Sequence, residues 1–185
     1  MNASVDDAVA ALRAGGVVAY PTEAVYGLGC DPHDRRAFER LFAIKGRPAT
    51  QGVLLIAADL AQLEPFIDSQ ALPDDARARA LATWPGPHTW IFPRSGEAPG
   101  WIAGAHRGIA VRVTAHAPAA ELCRAFGGAL VSTSANRHGE PPARSAGEVR
   151  ALFGTEVDAI LNGPVGGLER PTPIRDAISG DAVRT

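Results

Sequence analysis

Lysine is almost missing from this chain: of 18 basic side chains in 185 residues, 17 are arginine and one is Lys45. Cysteine is scarce as well, and Cys30 and Cys123 form neither a C-x-x-C pair nor a metal-ligand spacing with the five histidines. That excludes a disulfide framework and leaves buried, reduced thiols as the expectation. Charge of one sign is lacking too. A net charge of −2 argues against a surface that grips nucleic acid throughout, while a local basic cleft remains compatible with it. No apolar run approaches the length of a membrane span. Met1–Asp7 carries acid where a signal peptide carries base, so no such segment is expected. What is present is an ordinary balance, 46% apolar and 21% charged, in a chain long enough to bury a real core. The expectation is one cytoplasmic α/β domain over residues 1–185, with no membrane association.

The lone lysine sits in Phe42–Pro48, F-A-I-K-G-R-P. A sequence that writes nearly all its positive charge as arginine keeps lysine where a compact ammonium on a flexible stem is wanted. Arg47, two residues on, supplies the planar fork. Gly46 allows the backbone to turn, and Pro48 stops a preceding helix. A point charge and a bidentate clamp at one helix end suit a phosphate or carboxylate. The alternative is that helix C-termini favour cations in any case.

Periodicity gives the rest. Val5, Val9 and Leu12 mark a helix over 5–13, with Asp6 and Asp7 in its first turn and Gly15-Gly16 at its end. Residues 17–20 read as a buried strand, followed by a loop, Pro21–Cys30, rich in glycine and carrying the hydroxyls of Thr22 and Tyr26. A helix is predicted over 34–44, a strand over 53–57, and a helix capped by Asp59 to about Ile67. Another helix starts near Pro73 and ends at Trp84-Pro85-Gly86-Pro87. Strands are predicted at 90–92 and 109–113. Arg112 interrupts the apolar run of the latter and is expected at a strand end facing a cleft. A helix over 118–126 precedes the strand 129–131, which runs into Ser132-Thr133-Ser134-Ala135-Asn136. Small hydroxyls, an amide and backbone N–H groups at a strand's carboxyl end bind oxyanions well, although an ST-turn has the same composition. Ser145 and Glu148 fit a capping box before a helix to Phe153. A strand at 157–161 and a strand-turn-strand from Pro171 to Thr185 close the chain. Strands and helices alternate, so the class is α/β with a twisted mixed sheet and flanking helices. His88 and His106 are read as surface or turn residues, and Tyr26 and Trp90 as core.

Five motifs occur in order: P-T-E-A-V-Y-G-L-G-C-D at Pro21–Asp31, K-G-R-P at Lys45–Pro48, W-P-G-P-x-T at Trp84–Thr89, A-V-R-V at Ala110–Val113 and S-T-S-A-N at Ser132–Asn136. G-E-P-P-A after Asn136 and I-R-D at Ile174–Asp176 extend the pattern. In order and separation the chain resembles the threonylcarbamoyl-AMP synthases, the YrdC/TsaC family, in their short single-domain bacterial form. The resemblance implies a YrdC-like fold with a concave, positively charged pocket. It implies that L-threonine, bicarbonate and ATP are joined into threonylcarbamoyl-adenylate with release of pyrophosphate. The product would feed modification of the tRNA adenosine beside the anticodon by downstream transferase partners, and double-stranded RNA or tRNA is a candidate partner.

Carried over position by position, Lys45 and Arg47 would be catalytic and bind ATP. Arg112, Ser132, Ser134, Asn136 and Arg184 would complete the ATP site, and Thr22 and Thr172 would hold threonine. ATP chemistry leads to the expectation that Mg²⁺ accompanies the triphosphate, with no carboxylate cluster in the sequence to mark a protein metal site. Longer relatives carry a histidine in the strand after K-x-R-P that is absent from Val53–Ala57 here. Their S-T-V-V-D is Thr172-Pro173-Ile174-Arg175-Asp176 in this chain, which bears on the Thr172 assignment. Two other classes stay in view: an RNA-binding maturation factor without catalysis, and a carbamoyl-adenylate-forming enzyme.

Overall fold

The computed structural model describes residues 3–47, 52–170 and 172–184, the side chain of Arg184 excepted. Pro48 and Pro171 of the motifs above therefore lie outside the described residues. The order of elements is α1 (Val5–Arg13), β1 (Val18–Pro21), β2 (Tyr26–Gly29), α2 (Arg35–Lys45), β3 (Leu54–Ala57), α3 (Asp74–Leu81), β4 (Thr89–Pro93) and α4 (Gly100–Ala103). It continues with β5 (Gly108–Val113), α5 (Ala117–Phe126), β6 (Leu130–Ser134), α6 (Ala146–Phe153), β7 (Ala159–Ile160), β8 (Ile174–Asp176) and β9 (Ala182–Arg184). Among the described residues the strands form one mixed sheet in the order β7-β1-β2-β6-β3-β5-β4-β8-β9. β1 with β7, β3 with β5 and β4 with β8 run parallel, and the other neighbours antiparallel. None of the described helices is long and apolar enough to cross a membrane.

The sheet's two faces are treated differently. One carries Leu55, Ala57, Val111, Val113 and Val131 into a core with Phe38, Leu41 and Phe42 of α2 and Val149 and Phe153 of α6. The other carries Val18, Tyr20, Ile56 and Leu130 against α1 and α5, through Val9, Leu12, Leu122 and Cys123. That second cover is incomplete. Because side chains alternate along a strand, Leu54 shares a face with Ile56, Ala110 with Arg112, and Ser132 and Ser134 with Leu130. Leu54, Ala110, Arg112, Ser132 and Ser134 line open space rather than a helix. The change from Leu130 to Ser132 and Ser134 along one face of β6 marks where the helical cover ends.

Local chemistry explains where prediction and structure part. Pro21–Cys30 is half strand, not loop: β1 turns at Thr22–Val25 and returns as β2, with Pro21 opposite Tyr26. Its glycines serve close packing. A Cβ on Gly29 would lie 2.4 Å from the Val131 carbonyl oxygen, so Gly29→Ala should push β2 off β6 and cost about 2 kcal/mol in urea unfolding. Gly27→Ala, whose Cβ would meet Ser132 Oγ at 3.3 Å, should cost clearly less; equal losses would contradict this account. No helix follows Asp59. Its carboxylate caps a single turn by accepting from the Gln62 N–H at 3.1 Å, and Pro65 bars continuation. Ser132–Ser134 belong to β6 itself, and Val157–Leu161 is reduced to the two residues of β7. At α6 the box is only half formed. Ser145 Oγ accepts from the Glu148 N–H at 3.2 Å, but the Glu148 carboxylate takes the N–H of Arg144 at 2.7 Å. The reciprocal box occurs at α1, between Ser4 and Asp7.

Candidate active site

The uncovered half of the sheet face floors a cleft of about 680 Å³. Gly27, Leu54, Ala110, Ser132 and Ser134 form its floor. Thr22 and Ala24 of the β1–β2 turn, the segment after α4, and Thr172 with β8 form its walls. Arg47, Arg107 and Arg112 line it, and Asp176 is the one carboxylate among the described lining residues.

Two polar ends can be distinguished. At the first, Arg112 is 5% exposed and donates through Nη1 to Thr172 Oγ1 at 2.6 Å. Its Nη2 lies 3.3 Å from Glu23 Oε2. Thr172 Oγ1 also lies 3.3 Å from Thr89 Oγ1. Thr22 closes this end, its hydroxyl donating to the Val25 carbonyl at 2.7 Å.

The second end lies at the carboxyl end of β6. α2 begins at Asp34, whose carboxylate accepts from the N–H groups of Arg36 and Ala37. It closes on Gly46 at φ 60°, with Arg47 N–H bonded to the Phe42 carbonyl and Gly46 N–H to that of Ala43. This Schellman-type turn sends the two cations apart. Arg47 passes into the cleft wall, its guanidinium 5.7 Å from the centre of the Phe42 ring and within 3.4 Å of the Gly52 carbonyl. Lys45, 3% exposed, points behind the loop. Its ammonium donates to the carbonyl oxygen of Ser134, to that of Asn136 at 2.9 Å and to Asn136 Oδ1 at 3.2 Å. Ser134 Oγ donates to the same Oδ1 at 2.6 Å, and Asn136 Nδ2 donates to the carbonyls of Arg137 and Glu140. Lys45 thus lies outside the cleft lining and fixes the end of β6 at Ser134 together with the loop through Asn136 that follows it. Burial, and next the neighbouring Arg47, lower the Lys45 ammonium from 10.5 to about 8.

Of the residues singled out from sequence, Thr22, Arg47, Arg112, Ser132, Ser134 and Thr172 line one cleft. Lys45 and Asn136 stand behind it as a linked pair. Arg184 ends β9, and its side chain lies outside the described residues. Sequence reading passed over Arg107, Asp176 and Glu23. Burial drives the Cys30 thiol far up and the Cys123 thiol up to about 12, so neither is poised as a nucleophile. Among the described residues no three His, Cys, Asp or Glu side chains converge as a metal site.

Comparison with known proteins follows the same outline. A family model described as "Telomere recombination", for Sua5, YciO and YrdC, matches residues 10–184. The threonylcarbamoyl-AMP synthase of Stenotrophomonas maltophilia is 56% identical over 182 residues, 98% of each chain. Among solved structures, P. abyssi Sua5 complexed with L-threonine superposes with a TM-score of 0.86 at 34% identity, over 93% of this chain and 50% of that one. E. coli YciO superposes with a TM-score of 0.81 at 28% identity, over 98% of this chain and 90% of its own. With a family model spanning nearly its full length and a relative more than half identical end to end, the chain belongs to the Sua5/YciO/YrdC family.

Proposed function

We propose that this protein joins L-threonine, bicarbonate and ATP into threonylcarbamoyl-AMP, releasing pyrophosphate, and that the product supplies the threonylcarbamoyl group for a tRNA adenosine. The observation that carries the reading is one cleft with two anion-binding ends of different chemistry. Ile56 pairs with Arg112, and Leu54 with Ser132. Ser134 is therefore two strands across and four residues along from Arg112, about 16 Å between Cα atoms at ordinary sheet spacing. One phosphate cannot satisfy both ends. An amino acid linked through a carbamate to a nucleotide's α-phosphate spans such a gap once the long arginine side chain reaches in.

The reaction explains the charges. The threonine amine adds to bicarbonate-derived carbon and gives a carbamate and water. A carbamate oxygen then attacks the α-phosphorus, and pyrophosphate leaves. Nucleophile and electrophile are both anionic, so fixed cations and oriented donors do the catalytic work. Arg47, with the hydroxyls of Ser132 and Ser134 and the loop N–H groups, suits the phosphates, and Lys45 holds that loop in place. Arg112, expected with the nucleotide, is better assigned to the threonine carboxylate, because its direct partner is Thr172. A carbamate is already a competent nucleophile, so no activated cysteine or serine is needed. Mg²⁺ would arrive on the triphosphate and neutralise its oxygens. The relative bound to L-threonine and the synthase from S. maltophilia support threonine and ATP as the substrates by similarity.

The test is pyrophosphate release by the purified protein with ATP, Mg²⁺ and bicarbonate, with and without L-threonine. Release that requires threonine is expected. No release with any amino acid, together with salt-sensitive RNA binding, would instead favour a binding module.

A further inference from the structure

Two opposite charges lie buried at the amino-acid end, and only Arg112 has a role in the reaction so far. Glu23 is 8% exposed. Its Oε1 accepts from the Thr114 hydroxyl at 2.6 Å, and Thr114 Oγ1 in turn accepts from the His116 N–H at 3.1 Å. Its backbone is clamped as well. The Leu168 N–H donates to the Glu23 carbonyl at 3.2 Å, the Gly166 N–H donates to that of Thr22 at 2.9 Å, and a Cβ on Gly166 would stand 2.4 Å from the Glu23 carbonyl oxygen. Glu23 is therefore rigidly held. Toward Arg112 it is held loosely: Oε2 lies 3.3 Å from Nη2, and both Oε2 and Arg112 Nε are buried without a hydrogen-bond partner among the described residues.

We infer that Glu23 is the positioning residue for Arg112. It fixes the guanidinium from behind by charge and leaves its hydrogen-bonding capacity for a carboxylate arriving in the cleft. This rests on the assignment of Arg112 to the threonine carboxylate. A fully bonded pair would satisfy the guanidinium and oppose ligand binding; an absent partner would leave a buried cation free to swing. The pair combines full charge compensation with incomplete hydrogen bonding. Glu23 does not line the main cleft, so it acts through Arg112 and not on substrate.

Glu23→Gln tests this. The amide oxygen would keep the Thr114 bond, which turns the amide NH₂ toward Arg112 Nη2, donor against donor. The Michaelis constant for L-threonine should rise about tenfold or more while that for ATP stays within about twofold. A purely structural role would lower the active fraction and leave both constants alone. Thr114→Val, which removes the hydroxyl that aims the carboxylate and accepts from the His116 N–H, should raise the threonine constant by about threefold and remains informative if the first variant folds poorly. Unchanged or lowered threonine constants in both variants, with Arg112→Lys impaired for threonine, would overturn the inference and spare the assignment of Arg112. An Arg112→Lys variant with wild-type threonine kinetics would overturn the assignment itself.

Discussion

Lys45→Arg is expected to reduce threonine-dependent pyrophosphate release by about a hundredfold while the protein stays folded by circular dichroism. Arginine keeps the charge, so ordinary substitution logic makes the change mild. The surroundings make it severe. The ammonium occupies a closed nest of three acceptors supplied by Ser134 and Asn136, and a planar fork cannot converge on it. Seating the larger head would displace the end of β6 at Ser134 and the loop through Asn136, on which the phosphate end depends. Lys45→Met would keep the stem and strand those acceptors, adding a stability loss of about 2 kcal/mol. Lys45→Arg turnover within a few-fold of wild type would show that positive charge alone suffices there.

The same residue predicts an alkaline limb. Because burial lowers its ammonium to about 8, the protonated fraction falls as pH rises through that value, and kcat/KM for ATP should fall with it. Unfolding would not be the cause. The unfolded chain holds this proton up to about 10.5, so between roughly 8 and 10.5 the unfolded state binds more protons, and the residue's contribution to stability increases with pH. Activity lost over an interval in which the melting temperature holds would locate the effect at the site.

Much of this was legible in the residues. The alternation of Leu130, Ser132 and Ser134, and the charge of Arg112 inside an apolar strand, both mark an uncovered sheet face because helix cover requires apolar side chains. The direction of Lys45 was not legible. Whether two cations at a helix end converge depends on how the chain leaves the helix, and the left-handed turn at Gly46 separates them. Glu23 left a fainter sign. It stands alone among uncharged residues from Arg13 to Asp31, as Arg112 stands alone within Gly108–Val113. Lone opposite charges in two buried stretches have to meet. Arg107 left none, since its segment has no periodicity to orient it. Asp59 is a sound cap, but no helix follows it because Pro65, six residues on, cannot continue one.

Arg112→Met should destabilise the protein by about 3–5 kcal/mol, since it abandons the Glu23 carboxylate in a site with almost no solvent. The double variant Arg112→Met with Glu23→Gln should recover most of that loss, ending within about 1 kcal/mol of wild type. A glutamine there can still accept from Thr114, and no bare charge remains. The coupling between the sites in a double-mutant cycle should therefore be at least about 2 kcal/mol. Turnover should not follow stability. The repaired protein still lacks the guanidinium proposed for the threonine carboxylate, so its kcat/KM for threonine should stay down by about a hundredfold. Urea unfolding and threonine-dependent pyrophosphate release on the same four proteins give both quantities. Additive stability effects would mean that the 3.3 Å contact between Glu23 and Arg112 carries little of the fold. Recovered turnover in the double variant would remove Arg112 from substrate binding altogether. Separation of the two readouts is what a buried ion pair kept for binding produces: the fold tolerates its replacement as a unit, and the reaction does not.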